Sequence, residues 1–436
     1  MRWVKLLFWC AAWGVWVWLG VGLYRELPRD IGPVVLRLAL EDGERPLGLM
    51  PGERSFVTRQ VNRGTTKRWI RRRSVSTGAV ELAISDDHLP SSFTNDLPLL
   101  HNCAITSRSP RQRGGPPGDA HVLDLLTGEW RRCPEAGRLS QVHYERPWAS
   151  FFWYREGARK DVVNVFDLKT GKRVFFWSGG QSEEAFELVS EPFFVGGDRV
   201  AIPVRERARA GKEAVDSIEI WSIEGGKLVA RCRNLVPGDY TTASDAGLLV
   251  WYDMYRKPHQ TQCFDAMSGR TVLDLPRDPL RRGGELASDQ VPPLVARDGT
   301  AVLSPMAGGI YEVGTGRRLW TAAAHERVRA VRRSGVFECQ ELWTLGLLGA
   351  SHGFQTYAVR RMNDGALQWR CWRSTLGWYE ANGEMSLMIV DESTIRRLPP
   401  RVDWLVLGVC QFVLALPLAL LWGLLWWRRR RRAAVT

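Results

Sequence analysis

The chain holds 436 residues, among them seven histidines and eight cysteines. His88, His101, His121, His143, His259, His325 and His352 are dispersed, and no two stand at metal-ligand spacing. The chain contains no H-E-x-x-H, C-x-x-C or G-x-S-x-G motif and no phosphate-binding loop. No catalytic residue, metal ligand or cofactor is therefore assigned. The side chains that do recur at fixed spacing are carboxylates. Asp124, Asp167 and Asp265 each stand four residues before a glycine in D-x-x-[TS]-G. A carboxylate there can accept hydrogen bonds from the N–H groups of a tight turn.

Basic residues dominate the charge. The formal net charge is +13, and 52 of the 60 basic residues are Arg. That skew matches a G+C-rich bacterial genome. The densest cluster is Arg54, Arg59, Arg63, Lys67, Arg68, Arg71, Arg72 and Arg73. It could meet nucleic acid or anionic lipid, but the skew favours a solvated β surface, so nucleic acid is not expected as a partner.

What must position the carboxylates is a repeat. "VVNVFDLKTGKRVFFW" (Val162–Trp177) alternates apolar and polar residues, turns at Thr-Gly, and runs on into a second apolar stretch. Six further stretches align with it, with turn glycines at Gly78, Gly128, Gly171, Gly226, Gly269, Gly316 and Gly365. Successive glycines lie 43 to 55 residues apart. Each unit reads as a strand, a hairpin whose Gly takes positive φ, and an outer strand. Ile218 and Ile220 mark the buried face of one such strand, against Ser217 and Glu219. Asp298-Gly299 and Asn382-Gly383 mark further hairpins upstream of outer strands. Near-even units of this length have the period of propeller blades.

"SIEIWSIEGGKLV" resembles the third and fourth strands of a WD40-type blade, with Trp221-Ser222 where that family has Trp-Asp. Phe166-Asp167 holds the same place in another unit. "GTGRRLW" and "NDGALQW" resemble the PQQ-like repeat ending, with Trp320 and Trp369 four residues after Gly. The resemblance covers about residues 50–395 and implies an all-β fold, a β-propeller of about seven four-stranded blades. Tyr379–Leu398 is expected to pair with the first unit and close the ring, because closure removes exposed strand edges. No unit carries a full Gly-His…Trp-Asp set.

Three polar stretches interrupt the pattern and are expected as surface loops: Ser107–Ala120, Pro203–Ser217 and Pro276–Pro293. Six cysteines fall in the repeats, as Cys103/Cys133, Cys232/Cys263 and Cys339/Cys371. Cys103 and Cys339 map to second strands, Cys133 and Cys371 to fourth strands. Two inter-strand steps separate such residues by about 9.6 Å, beyond the ~7 Å Cα reach of a disulfide. Buried, unpaired thiols are expected.

The ends differ from the middle. Leu6–Leu23 and Leu405–Trp427 carry no charge, and nine of the 21 tryptophans lie in or beside them. As helices they would span about 27 and about 34 Å, close to the ~30 Å hydrocarbon core. Residues 1–27 are therefore expected as an N-terminal transmembrane helix, with a cleaved signal peptide as the other reading. The propeller is expected over 28–400, a C-terminal transmembrane helix over 401–427 and a basic cytoplasmic tail over 428–436. Arg2, Lys5 and Arg428–Arg432 place both ends in the cytoplasm and the propeller on the extracytoplasmic side of the inner membrane.

The expected function is a membrane-anchored, non-enzymatic propeller that acts as a binding platform, its partners the membrane and another protein. Two alternatives stay open. One is a quinoprotein-like or other enzyme with its site at the propeller channel; the other is an envelope-assembly or sensory subunit of a membrane complex. No residue is assigned to catalysis. The named site residues are the repeat turns Asp124, Gly128, Asp167, Gly171, Gly226, Asp265, Gly269, Gly316 and Gly365.

Overall fold

The computed structural model describes residues 10–21, 34–50, 52, 54–61, 68–85, 99–107, 118–143, 145–153, 161–179, 186–206, 215–233, 241–243, 246–252, 260–276, 293–296, 298–304, 307–323, 326–331, 336–344, 353–371, 387–390, 394–397 and 404–433. Among these, eight sheets follow one another along the chain. Seven are continuous antiparallel meanders, here called blades 1 to 7: residues 44–85, 99–133, 138–178, 186–233, 241–276, 294–321 and 326–371. Six have four strands; blade 4 has five, because Phe193–Phe194 pairs beside Phe186–Leu188 on the same second strand. The eighth sheet has three strands, in the order Val34–Arg37, Thr394–Arg397, Leu387–Val390.

The core lies between the blades rather than within them. Val163, Val165, Phe175 and Trp177 of blade 3 pack against Val200, Ile202 and Val204 of blade 4. Ile218 and Ile220 of blade 4 pack against Leu249 and Phe264 of blade 5. Ile395 of the eighth sheet packs against Leu49, Phe56 and Val75 of blade 1. Burying each such side chain contributes about 1.5–3 kcal/mol, and a blade gains this only when it has a neighbour. The first strands of blades 1 and 2 touch, as do those of blades 5 and 6; Phe193–Phe194 of blade 4 touches the first strands of blades 3 and 5, the first strand of blade 3 touches the second strand of blade 2, and Leu387–Val390 touches the first strand of blade 1. The sheets thus circle a common axis, which makes the fold a β-propeller.

Three expectations change. Seven blades of four strands become seven blades plus a three-stranded closing sheet. The last strands do not join blade 1; they pair with Val34–Arg37, which precedes it. Nor does the strand Val215–Ser222 have one buried face only: Ser217 and Glu219 are as buried as Ile218 and Ile220, because a blade has neighbours on both sides.

A fourth correction concerns the ends. Transmembrane helices over 1–27 and 401–427 were expected, but among the described residues no helix is long and apolar enough to cross a membrane. At the N-terminus the described helix covers only residues 10–21, about 18 Å at 1.5 Å per residue. The C-terminal helix, Trp404–Ala433, does not stop at Trp427; the five arginines Arg428–Arg432 lie within it rather than in a tail beyond it. Polar Gln411 interrupts its apolar part.

Candidate interaction surface

One end of the ring is built from short connections. In all seven blades five residues join the third strand to the fourth; two to five join the first to the second, except in blade 4, where Phe193–Phe194 lies within the ten residues between them. The five-residue turns share one hydrogen-bond plan. In blade 2, Gly128 N–H donates to the Asp124 carbonyl and Asp124 N–H to that of Glu129. Gly171 and Asp167, Gly269 and Asp265, and Gly316 and Glu312 repeat the first bond. Asp124 Oδ1 accepts the N–H groups of Leu126 and Thr127, Asp167 Oδ1 those of Lys169 and Thr170, Asp265 Oδ1 those of Met267 and Ser268. In blade 4, Ser222 Oγ takes over, accepting from Gly225.

The turn glycines are all left-handed, with φ between 58° at Gly226 and 81° at Gly128. Most also lie on the preceding blade's outer strand. A Cβ at Gly171 would stand 3.2 Å from the Arg132 carbonyl oxygen, and one at Gly269 3.5 Å from Cys232 Sγ. A Cβ at Gly365 would overlap Trp320. In blades 1 to 6 the residue after the turn's first position donates its N–H to the neighbouring short connection, as Leu125 to Asn102, Leu168 to Pro147, Ile223 to Asp198 and Ala266 to Gly247. Polar groups at this end are largely spent on one another.

Buried charges, among them Arg73 and Glu219, hold the blades in roles the sequence does not reveal. Position by position, the residue before each turn is Arg73, Leu123, Phe166, Trp221, Phe264, Tyr311 and Arg360 in blades 1 to 7. The two arginines do the same thing. Arg73 donates to both oxygens of Glu44, at 2.8 Å each, and to the Gly78 carbonyl at 2.9 Å. Arg360 donates to Glu326 at 2.6 Å and to the Gly365 carbonyl at 3.1 Å. Glu44 and Glu326 both open the first strand of their blade. Each also accepts an N–H three residues back, from Glu41 and Ala323. In blade 7, Arg370 and Thr356 add bonds to buried Glu341. Between blades 3 and 4, buried Glu219 accepts the indole N–H groups of Trp177 and Trp221 and an N–H of Arg231.

Part of the basic cluster is consumed here. Arg71 pairs with Glu41, and Arg72 with Glu81 and the Leu125 carbonyl. A solvated surface was expected, but Arg73 is buried and Arg71 and Arg72 are largely so; Arg63 and Lys67 lie outside the described residues. Burial pushes the Glu44 carboxyl up, and the Arg73 guanidinium, the Thr58 hydroxyl and the Glu41 N–H more than offset it, so the group titrates below the usual range. For Asp124, burial is likewise outweighed by the Leu126 N–H and the Arg131 guanidinium.

Of the histidines, His101, His121 and His143 are described, and two of them link blades. His101 Nε2 lies 2.7 Å from the His143 carbonyl oxygen, joining blade 2 to blade 3. His143 Nδ1 accepts the N–H groups of Glu145 and Arg146, so Nε2 carries the proton and donates to the Gly196 carbonyl of blade 4. Among the described residues no group of His, Cys, Asp and Glu is placed to hold a metal ion. None of the eight cysteines is in a disulfide; Cys103, Cys133, Cys232, Cys263, Cys339 and Cys371 are buried. Burial pushes Cys133 and Cys263 up to about 12.

The opposite end of the ring is where second strands lead to third strands and one blade to the next. These connections run from four residues, as at 134–137, to seventeen, at 277–293. Most of their residues, including 108–117, 207–214 and 277–292 of the three polar stretches, lie outside the described ones. Both flanks of the stretch Pro203–Ser217 are strand rather than loop: Pro203–Glu206 and Val215–Ser217 belong to blade 4.

No family model and no curated protein matches the chain. Solved structures that resemble it include a eukaryotic initiation factor (10% identity over 74% of this chain and 76% of that one, TM-score 0.43). BamB from Moraxella catarrhalis is similar at 9% identity, over 68% and 81% of the chains, TM-score 0.36. The β-propeller domain of the Trilobed protease from Pyrococcus furiosus is similar at 11% identity, over 77% and 97%, TM-score 0.36.

Proposed function

We propose that the chain is a propeller binding platform that receives another protein on the end of the ring carrying the long connections. The observation that supports this is the contrast between the two ends. One end repeats a five-residue turn seven times, with its polar groups mutually bonded. The other varies from four to seventeen residues, with polar, Arg- and Gly-rich sequences. Variable connections on a rigid scaffold are where binding residues concentrate. Photo-crosslinking side chains placed within 108–117, 207–214 and 277–292 should capture a partner in native membranes, whereas the same groups at Lys169 and Glu224 on the short-turn end should not. Capture from the short-turn end alone would overturn the reading.

The chain is further proposed to be held at a membrane by its ends. Phe412, Leu420, Trp422, Trp426 and Trp427 of the C-terminal helix are exposed, as are Trp13 and Trp18 of the N-terminal one. Contiguous apolar exposure on this scale marks a site of contact with another apolar phase. Arg430 stacks on Trp426, with its guanidinium 4.3 Å from the ring centroid, where anionic headgroups could meet it. The ring is proposed to lie on the extracytoplasmic side. An alkaline phosphatase inserted near Gly283 should then be active, and an inactive one would place the ring in the cytoplasm.

A further inference from the structure

Both chain ends run into the closing sheet. Val34–Arg37 pairs antiparallel with Thr394–Arg397, Val34 opposite Arg396 and Arg37 opposite Thr394. Every blade is one continuous stretch of chain, so its strands are held by their own hairpins. The closing sheet pairs strands from the two ends, and no hairpin links Val34–Arg37 to its partner. That strand is four residues long, and its pairing is irregular between Val34 and Leu36. By itself such a pairing is weak.

The helices beyond these strands also meet. Twelve residues separate the helix of residues 10–21 from Val34, and six separate Arg397 from Trp404. Trp16 Nε1–H points to the Gln411 backbone carbonyl at 3.4 Å. Gly20 is buried beneath the Gln411 side-chain amide, where a Cβ would overlap it. Glycine at this position leaves the space that the Gln411 amide fills.

We infer that this helix pair is the clasp of the ring. Its contact keeps Val34–Arg37 beside Thr394–Arg397 by turning their pairing into a short-loop closure, with a high effective concentration of one strand for the other. Along the chain, blade 1 follows Val34–Arg37 and blade 7 precedes Leu387–Val390, and each of these two blades holds a Glu–Arg tie from first strand to third, Glu44–Arg73 and Glu326–Arg360. They therefore stay intact when the closing sheet parts. Separating the helices opens the ring at one defined place. The inference does not depend on what the platform binds.

Hydrogen exchange on the full chain in detergent tests it. Gly20→Leu and the larger Gly20→Trp should raise exchange in Val34–Arg37 by about tenfold or more, with Trp148–Trp153 of blade 3 unchanged as the internal reference. Adding Gln411→Ala to Gly20→Leu makes room for the new side chain and leaves the carbonyl that Trp16 uses, so exchange should return towards the parent value. Unchanged exchange in Val34–Arg37 for both Gly20 variants would overturn the inference. So would a rise that Gln411→Ala fails to reverse, or one that extends equally to blade 3.

Discussion

Arg73 and Glu44 show what a buried ion pair does in this fold. Arg73 is 7% exposed and Glu44 6%, so each charge depends on the other for much of its compensation, with Thr58 and the Glu41 N–H adding bonds to Glu44. Removing one partner strands the other. Arg73→Met alone should cost about 3–5 kcal/mol in urea unfolding, whereas Arg73→Met with Glu44→Met should cost far less. If the double variant were as unstable as the single one, the pair would be providing more than mutual compensation. The pH dependence has a definite sign. Glu44, Asp119, Asp124 and Asp265 all titrate below their ordinary values when folded. Their contribution is therefore complete above the unfolded carboxylate range, near pH 5, and is lost as pH falls through the lower folded values. Urea midpoints should be level from pH 7 to pH 5 and decline below that. The thiols give a second residue-scale test. Iodoacetamide at pH 8 should modify exposed Cys10 readily and leave Cys133 and Cys263, pushed up to about 12, untouched until the chain is denatured, as read by mass spectrometry.

At the scale of the element, the five-residue turn is both a hairpin and an inter-blade contact. Gly171 has φ 68° and faces the Arg132 carbonyl at 3.2 Å; Gly269 has φ 67° and faces Cys232. Valine at either position meets a backbone conformation it rarely adopts, and at Gly171 it also crowds a backbone carbonyl. Gly171→Val and Gly269→Val should each lower the melting temperature, Gly171→Val by more, because its obstacle is backbone rather than a sulfur. Equal melting temperatures for parent and both variants would detach these turns from blade packing. The turns were legible because Gly, Thr-Gly and Asp carry their conformational reasons in their residue types. The Glu–Arg ties were not. Arg73 and Arg360 are two of 52 arginines, and their meaning emerges only where aligned turns have Leu, Phe, Trp or Tyr. The closing sheet was legible only in part. Residues 387–397 contain no Thr-Gly turn, and Val34–Arg37 lies far from them in sequence. The terminal helices read as spans because an uncharged run has no internal mark of where its helix begins and ends.

At the scale of the whole molecule, the ring is a set of faces each buried by the next blade, so a local loss at the seam reaches further than the same loss elsewhere. Ile395 is fully buried and packs from the closing sheet onto Leu49, Phe56 and Val75 of blade 1. Ile395→Ala should cost about 2–5 kcal/mol by lost burial and the cavity left behind. Ile202 is equally buried, but in the middle of blade 4, where hairpins on both sides hold its strand. Ile202→Ala removes the same atoms without touching the seam. The two variants should therefore differ in reach more than in size. Ile395→Ala should raise hydrogen exchange in Val34–Arg37, Thr394–Arg397 and the first strand of blade 1 together. Ile202→Ala should raise it in blades 3 and 4 alone. If Ile395→Ala raised exchange in its own strand only, the closing sheet would be an appendage on a ring already complete without it. The three-stranded eighth sheet would then have no part in holding blade 1 to blade 7.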